Sequence, residues 1–148
     1  MDLKDKMTFH VTGTTEKLKT TIQSKQHTII LDEPPAVGGG DEGPDPLSYL
    51  LASLAGCENI IAYMVAQEMN FDLQSMEMDV KGALDPLGMR GEPGVQVFFE
   101  KVSFKAKVST SESEERLAEL QEKTDARCPV LTMMRAAGIE LETEWVKA

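Results

Sequence analysis

The sequence contains few of the residues that hold metals or cross-link small proteins. It has two cysteines, Cys57 and Cys128, and two histidines, His10 and His27. Two cysteines are too few for a disulfide-stapled scaffold, and a structural zinc site normally needs four suitably spaced ligands. We therefore expect no metal site, and we interpret both histidines as structural or surface residues.

Basic residues are also in the minority. Fifteen lysines and arginines face 25 acidic residues, which gives a formal net charge of −10. The basic residues are scattered along the chain, and this charge would repel a phosphate backbone. Nucleic acid is therefore not an expected partner.

Neither of the two segments that could mark export or membrane insertion has the required composition. The stretch from Met1 to Met7 is charged and lacks the apolar run of a secretory signal, so we expect a cytoplasmic protein. The most apolar segment, 47–65, is interrupted by Glu58 and Asn59, which a lipid-facing helix would not readily carry. We expect it to be a buried helix and not a membrane anchor.

Length and composition fit one globular domain over residues 1–148, with 41% hydrophobic and 27% charged residues. Alternation of apolar and polar residues predicts an N-terminal meander of three strands, at 7–11, 18–22 and 27–31. The Pro- and Gly-rich stretch after Asp32 predicts a long loop. Such a loop either lines a site or is a plain linker.

A helix is predicted from Asp45-Pro46 to about Glu68, with an aspartate N-cap and proline at the first helical position. Large apolar residues recur every three or four positions, and small residues fill much of the remaining surface. Such a helix should be buried nearly all round. One chain of this size has difficulty covering it, so we predict a homodimer.

The second half of the chain predicts a mixture of strands and helices, which makes the fold α+β. Strands at 73–84 and 95–108 form a hairpin with a ten-residue connection, and a phase change in the second strand predicts a β-bulge. A helix follows at 111–123, then a second helix after Cys128 that Gly138 ends. A final strand covers 139–146.

Cys128 precedes a proline at the first helical position, so it should lie at or near a helix N-cap. Unpaired N–H groups and the helix dipole there favour a thiolate, and the neighbouring Arg127 could add to the effect. The pKa of Cys128 should therefore fall; the alternative is a cysteine that serves only as a modest cap. Cys57 lies on an apolar helix face, where a core residue is the ordinary interpretation.

Two motifs together resemble those of the OsmC/Ohr family, named for osmotically inducible protein C and the organic hydroperoxide resistance protein. The segment from Gly43 to Cys57, GPDPLSYLLASLAGC, resembles the family's cysteine-helix signature, and the RCPV at 127–130 resembles its second cysteine motif. The order of predicted elements between and around them also fits.

This resemblance implies an intertwined homodimer, with antiparallel sheets wrapped around two long central helices and two sites near the subunit interface. It also implies a peroxidase that uses Cys57 and Cys128 without a cofactor. Cys57 would attack an organic hydroperoxide, and Cys128 would form a disulfide with the oxidised Cys57. An external dithiol would then reduce that disulfide.

The sequence departs from the peroxidase pattern at the residues that activate the first cysteine. The family's glutamate after the Asp-Pro is Leu47 here, and no arginine occurs before Arg90. Arg90 or one of three lysines could substitute, namely Lys17, Lys19 and Lys25. The alternative function is a non-catalytic OsmC-like dimer that binds a small apolar or electrophilic ligand, and a weaker one is a redox sensor. Glu58 points about 100° away from Cys57, so we assign it no role.

Overall fold

The computed structural model describes residues 5–148 and contains two compact units. One unit ends at Leu50 and the other spans Leu51–Ala148. Residues 1–4, part of the charged N-terminal segment, lie outside the described residues. Two three-stranded sheets and four α-helices confirm the α+β class within the described chain, and the single domain stays a prediction.

The first unit contains the predicted antiparallel meander. Its strands are β1 (Thr12–Glu16), β2 (Lys19–Ser24) and β3 (His27–Leu31), which pair in that order. The predicted first strand at 7–11 is wrong, because those residues are exposed and irregular. The two-residue turn at Lys17, whose φ is 55°, pairs Glu16 with Lys19. The outer strand therefore consists of residues 12–16, which come directly after the predicted segment.

The loop after β3 is organised around one buried carboxylate. Asp32 accepts hydrogen bonds from the backbone N–H groups of Glu33, Gly40 and Glu42, at 2.8, 3.2 and 3.2 Å. These bonds, that of Glu33 foremost, hold the pKa of Asp32 below its ordinary value. The stretch is therefore an ordered loop, and it includes a short 3₁₀ turn at Pro35–Val37.

The long helix α1 (Pro46–Met69) begins as predicted. The Asp45 carboxylate accepts the N–H of Ser48 at 3.0 Å, as an N-cap does. Within one chain, however, only one face of α1 is buried, and it comprises Leu54, Glu58, Ala62, Val65 and Ala66. The prediction of burial on all sides is therefore not met by the described part of the single chain, in which Ile60, for example, is 63% exposed.

By length and composition alone, α1 could cross a membrane, and it is the one such helix in residues 5–148. The central helix of a globular protein has the same properties. Glu58, at the middle of α1, has no exposed surface and lies among core residues of the second unit. This burial agrees with the prediction of a core helix.

The second unit is built on a sheet of β4 (Ser75–Ala83), β5 (Lys101–Ser109) and β6 (Glu140–Lys147). The strands β4 and β5 pair in unbroken antiparallel register, so the predicted β-bulge is wrong. The change of phase occurs because residues 95–100 precede the strand. The strand β6 pairs with β5 in parallel. The expectation of wholly antiparallel sheets is therefore wrong for this sheet.

Helices cover one face of this sheet. The connection after β4 contains the short α2 (Pro86–Met89), and α3 (Glu114–Arg127) and α4 (Pro129–Ala136) precede β6. Gly138, with a φ of 83°, ends the last helix as predicted. Alternate residues of β5 face the core and meet apolar residues of the helices, namely Val102, Phe104, Ala106, Val108, Leu117, Leu120, Leu131 and Met134.

Candidate active site

Cys128 forms the junction between two helices. Its N–H donates to the carbonyl of Thr124 at 3.0 Å and so ends α3, while its Sγ accepts the N–H of Leu131 at 3.4 Å and so caps α4. The predicted N-cap position is therefore confirmed. The side chain has no exposed surface.

The structure overturns the expected fall in the pKa of Cys128. The pKa of this thiol is raised to about 12, by burial foremost and also by the nearby Cys57 and Glu58, in opposition to the N–H of Leu131, which lowers it. The prediction was wrong because it counted the helix N-terminus and not the apolar residues around the sulfur. Cys128 is a thiol, and not a thiolate, at neutral pH.

Cys57 lies in the middle of α1, half-buried and packed against the core of the second unit. Its side chain lies close enough to Cys128 to affect the pKa of that thiol, and both cysteines are free. The presence of Cys57 raises the pKa of Cys128. The structure thus brings the two cysteines together, with Cys57 nearer to solvent.

Glu58 is a residue of this site that the sequence reasoning missed. It is fully buried, and neither carboxyl oxygen finds a hydrogen-bond donor in residues 5–148. Burial raises the pKa of Glu58 to about 8, and the Asp125 carboxyl beside it contributes to the same shift. A signal was available, because Glu58 is four residues from both Leu54 and Ala62 and so lies in their buried stripe.

Asp125 brings a second carboxyl group to Glu58 from α3. Its Oδ2 accepts the hydroxyl of Thr143 at 2.8 Å, while its Oδ1 is buried without a donor in the described chain. Arg135 on α4 lowers the pKa of Glu58, in opposition to burial and to Asp125. The site therefore combines two thiols with two carboxyl groups in the interior of the second unit.

The structure gives the surroundings of two residues that were predicted as substitute activators. Lys19 forms an ion pair with Glu42 at 3.3 Å in the first unit, and Arg90 follows α2 on the surface of the second. His10 and His27 are exposed. In residues 5–148 no three His, Cys, Asp or Glu side chains are grouped so as to hold a metal ion.

Residues 38–144 match the family model described as OsmC-like protein. The chain belongs to the OsmC-like family. Within this OsmC-like chain, the matched segment includes Cys57, Glu58, Asp125 and Cys128. No curated protein matches the chain.

Solved structures of other proteins share the fold of this OsmC-like protein. An OsmC-like protein from Mycoplasma pneumoniae is 22% identical, with a TM-score of 0.81 over 97% of this chain and 99% of its own. An organic hydroperoxide resistance protein from Elizabethkingia anophelis is 19% identical, with a TM-score of 0.74 over 98% and 99%. One from Legionella pneumophila is 17% identical, with a TM-score of 0.72 over 95% and 97%. At these identities the likeness shows the fold alone.

Proposed function

We propose that this OsmC-like protein is a thiol peroxidase that reduces organic hydroperoxides with Cys57 and Cys128. The observation that carries the proposal is the proximity of the two cysteines, which belong to different elements and lie far apart in the sequence. Disulfide formation requires such an approach. Two similar folds belong to proteins named for organic hydroperoxide resistance, which supports the same substrate class.

The burial of the two sulfurs assigns their roles. Cys57 is half-buried and so is the sulfur that a substrate can reach, whereas Cys128 has no exposed surface. The Cys57 thiolate attacks the outer oxygen of the hydroperoxide, the O–O bond breaks, and the alkoxide leaves and takes up a proton as an alcohol. Cys57 is then a sulfenic acid.

The second step uses the neighbouring thiol. Cys128 attacks the Cys57 sulfur, so that an S–S bond forms, the S–O bond breaks and the hydroxyl group leaves as water with a proton. An external dithiol then reduces the disulfide by exchange and becomes a disulfide itself. This cycle needs no metal or organic cofactor. We place it in the cytoplasm, in a homodimer whose interface covers the exposed face of α1.

The experiment measures consumption of cumene hydroperoxide with dithiothreitol as reductant. We expect many turnovers per wild-type chain and none for Cys57→Ser. Cys128→Ser is the matched variant, because serine keeps an acceptor for the N–H of Leu131. In the absence of dithiothreitol, which would reduce a sulfenic acid directly, it should consume one equivalent of hydroperoxide and retain a sulfenic acid that dimedone traps. Equal turnover by Cys57→Ser and wild type would reject the proposal.

A second candidate is a non-catalytic dimer that binds a small apolar or electrophilic ligand. Two observations favour it: Leu47 replaces the family's activating glutamate, and the pKa of Cys128 is raised to about 12. Such a protein would show no turnover. A ligand would still raise its melting temperature after Cys57→Ser.

A further inference from the structure

We propose that Glu58 and Asp125 share one proton beside the two cysteines, and that this pair controls when Cys128 ionises and how fast the Cys57–Cys128 disulfide closes. The inference deepens the proposed function, because disulfide closure is a step of it. The two carboxyl groups act through Cys128, so they are positioning residues for the reaction.

The need for a shared proton follows from hydrogen-bond chemistry. The two carboxyl groups are close enough to affect each other's charge, and both oxygens of Glu58 and Oδ1 of Asp125 are buried without a donor in residues 5–148. Two ionised carboxylates can only accept hydrogen bonds, so a proton on one of them is what lets the pair bond. An unpaired, doubly charged pair in this interior would be strongly unfavourable.

Three groups from α3 and α4 interact with Glu58. Asp125 faces it from α3, Arg135 acts on it from α4, and the Cys128 sulfur lies at the start of α4. Burial and Asp125 favour the protonated form, whereas Arg135 favours the ionised one. The pKa of about 8 for Glu58 is the balance of these effects. The group therefore changes its charge within the range in which thiols react.

That change of charge acts directly on Cys128. An ionised Glu58 opposes formation of the Cys128 thiolate, whereas a protonated Glu58 does not. Below about pH 8 the thiolate fraction of Cys128 should rise tenfold per pH unit, as for any thiol. Above pH 8 the growing charge on Glu58 should make this rise shallower. The carboxyl pair thus limits disulfide closure at high pH.

The test oxidises the reduced protein with diamide, which needs no peroxidase activity. The Cys57 thiolate adds to the N=N bond and forms an S–N bond. Cys128 then attacks the Cys57 sulfur, so that the S–S bond forms and the S–N bond breaks. The hydrazine leaves with its protons, and it carries the two electrons lost by the thiols. Stopped samples give the closure rate at each pH.

We expect wild type and Glu58→Gln to form the disulfide at equal rates at pH 6.5, where residue 58 is neutral in both, as a protonated glutamate or as a glutamine. At pH 9 the variant should be faster, on the order of tenfold, because it has no charge to oppose Cys128. Asp125→Asn should shift the break in the wild-type profile to lower pH, since Asp125 helps to keep Glu58 protonated. Glu68→Gln, an exposed position on the same helix, is the control and should follow wild type.

Parallel profiles for wild type and Glu58→Gln would overturn the proposal, because a purely structural role changes the rate equally at every pH. If Glu58→Gln does not fold, the Asp125→Asn profile decides the matter. Infrared spectra give a second measurement: the band of a protonated carboxyl group should be present in wild type at pH 7 and lost in the variant. If the closure profiles are as expected but the protein does not turn over hydroperoxide, the proposed peroxidase function is rejected and the role of the carboxyl pair is kept.

Discussion

The Arg127 guanidinium forms a two-pronged ion pair with Glu68, with N–O distances of 2.6 and 3.0 Å. It thereby joins the last turn of α3 to the end of α1. Each group shifts the pKa of the other, so that the pKa of Glu68 falls and that of Arg127 rises. Arg127 is therefore engaged with Glu68, and the expectation that it would favour a thiolate on the adjacent Cys128 is not supported.

We predict that Arg127→Gln changes the melting temperature by no more than a few degrees, because exposed ion pairs contribute little to stability. The same variant should leave the pH profile of disulfide closure unchanged. Glu68→Gln is the matched change on the other side of the pair. A marked slowing of closure in Arg127→Gln alone would show that the arginine acts on Cys128 after all.

Replacement of Glu58 by glutamine should change how stability depends on pH. The folded state raises the pKa of Glu58 from an ordinary 4.5 to about 8, so the folded chain binds more protons than the unfolded one between these values. The contribution of Glu58 is therefore fully present below about pH 4.5 and is lost as pH rises through 8. Glu58→Gln should thus be more stable than wild type at pH 8.5 by a few kcal/mol.

Urea unfolding of wild type and Glu58→Gln at pH 5, 7 and 8.5 measures this difference. Glu68→Gln is the control, because the pKa of Glu68 is lowered from 4.5 in the folded state. Its favourable contribution is lost only at pH values below 4.5, so the difference between Glu68→Gln and wild type should stay nearly constant from pH 5 to 8.5. A constant difference between Glu58→Gln and wild type across the three pH values would contradict the assignment.

The sequence predicted those features of the site that depend on one helix at a time. The apolar spacing after Asp45-Pro46 predicted α1, and the proline after Cys128 predicted the cap of α4. Glu58 was missed because its partner, Asp125, lies on another helix. A helical projection gives the direction of a side chain, but it does not show which element packs against that side.

The errors in the sheets have the same origin. Residues 7–11 alternate apolar and polar side chains as a strand does, yet strand formation also requires a partner with free backbone groups. The neighbouring five residues pair with β2 instead. Likewise, β6 pairs with β5 in parallel, and the alternation of residues within β6 does not indicate this direction. Pairing is a property of two segments and cannot be read from one.

Leu131→Ala should make Cys128 easier to ionise. Leu131 is fully buried at the start of α4, and burial is the main reason that the pKa of Cys128 is raised. The truncation should cost about 2–5 kcal/mol of stability. Admission of water should also lower the pKa of the thiol. The pH dependence of Cys128 alkylation by iodoacetamide, in a Cys57→Ser background, measures this pKa.

The control for that experiment is Met133→Ala, which truncates a side chain on the same helix that is 64% exposed. It should alter neither stability nor alkylation appreciably. Slower alkylation of Cys128 in Leu131→Ala than in the Cys57→Ser parent would mean that burial does not restrain the thiol.

The exposed face of α1 provides the test of the homodimer. Ile60 is 63% exposed in the single chain, in the middle of the helix, so Ile60→Glu should cost little in an isolated chain. In a dimer that covers this face, the variant would bury two carboxylates against apolar surface, and the dissociation constant should rise by at least about a hundredfold. Light scattering over a dilution series should therefore report a monomer, and circular dichroism should show an unchanged helix content. Glu122→Lys, a charge change at an exposed position of α3, should remain dimeric. A wild-type chain that is already monomeric at high concentration would contradict the dimer.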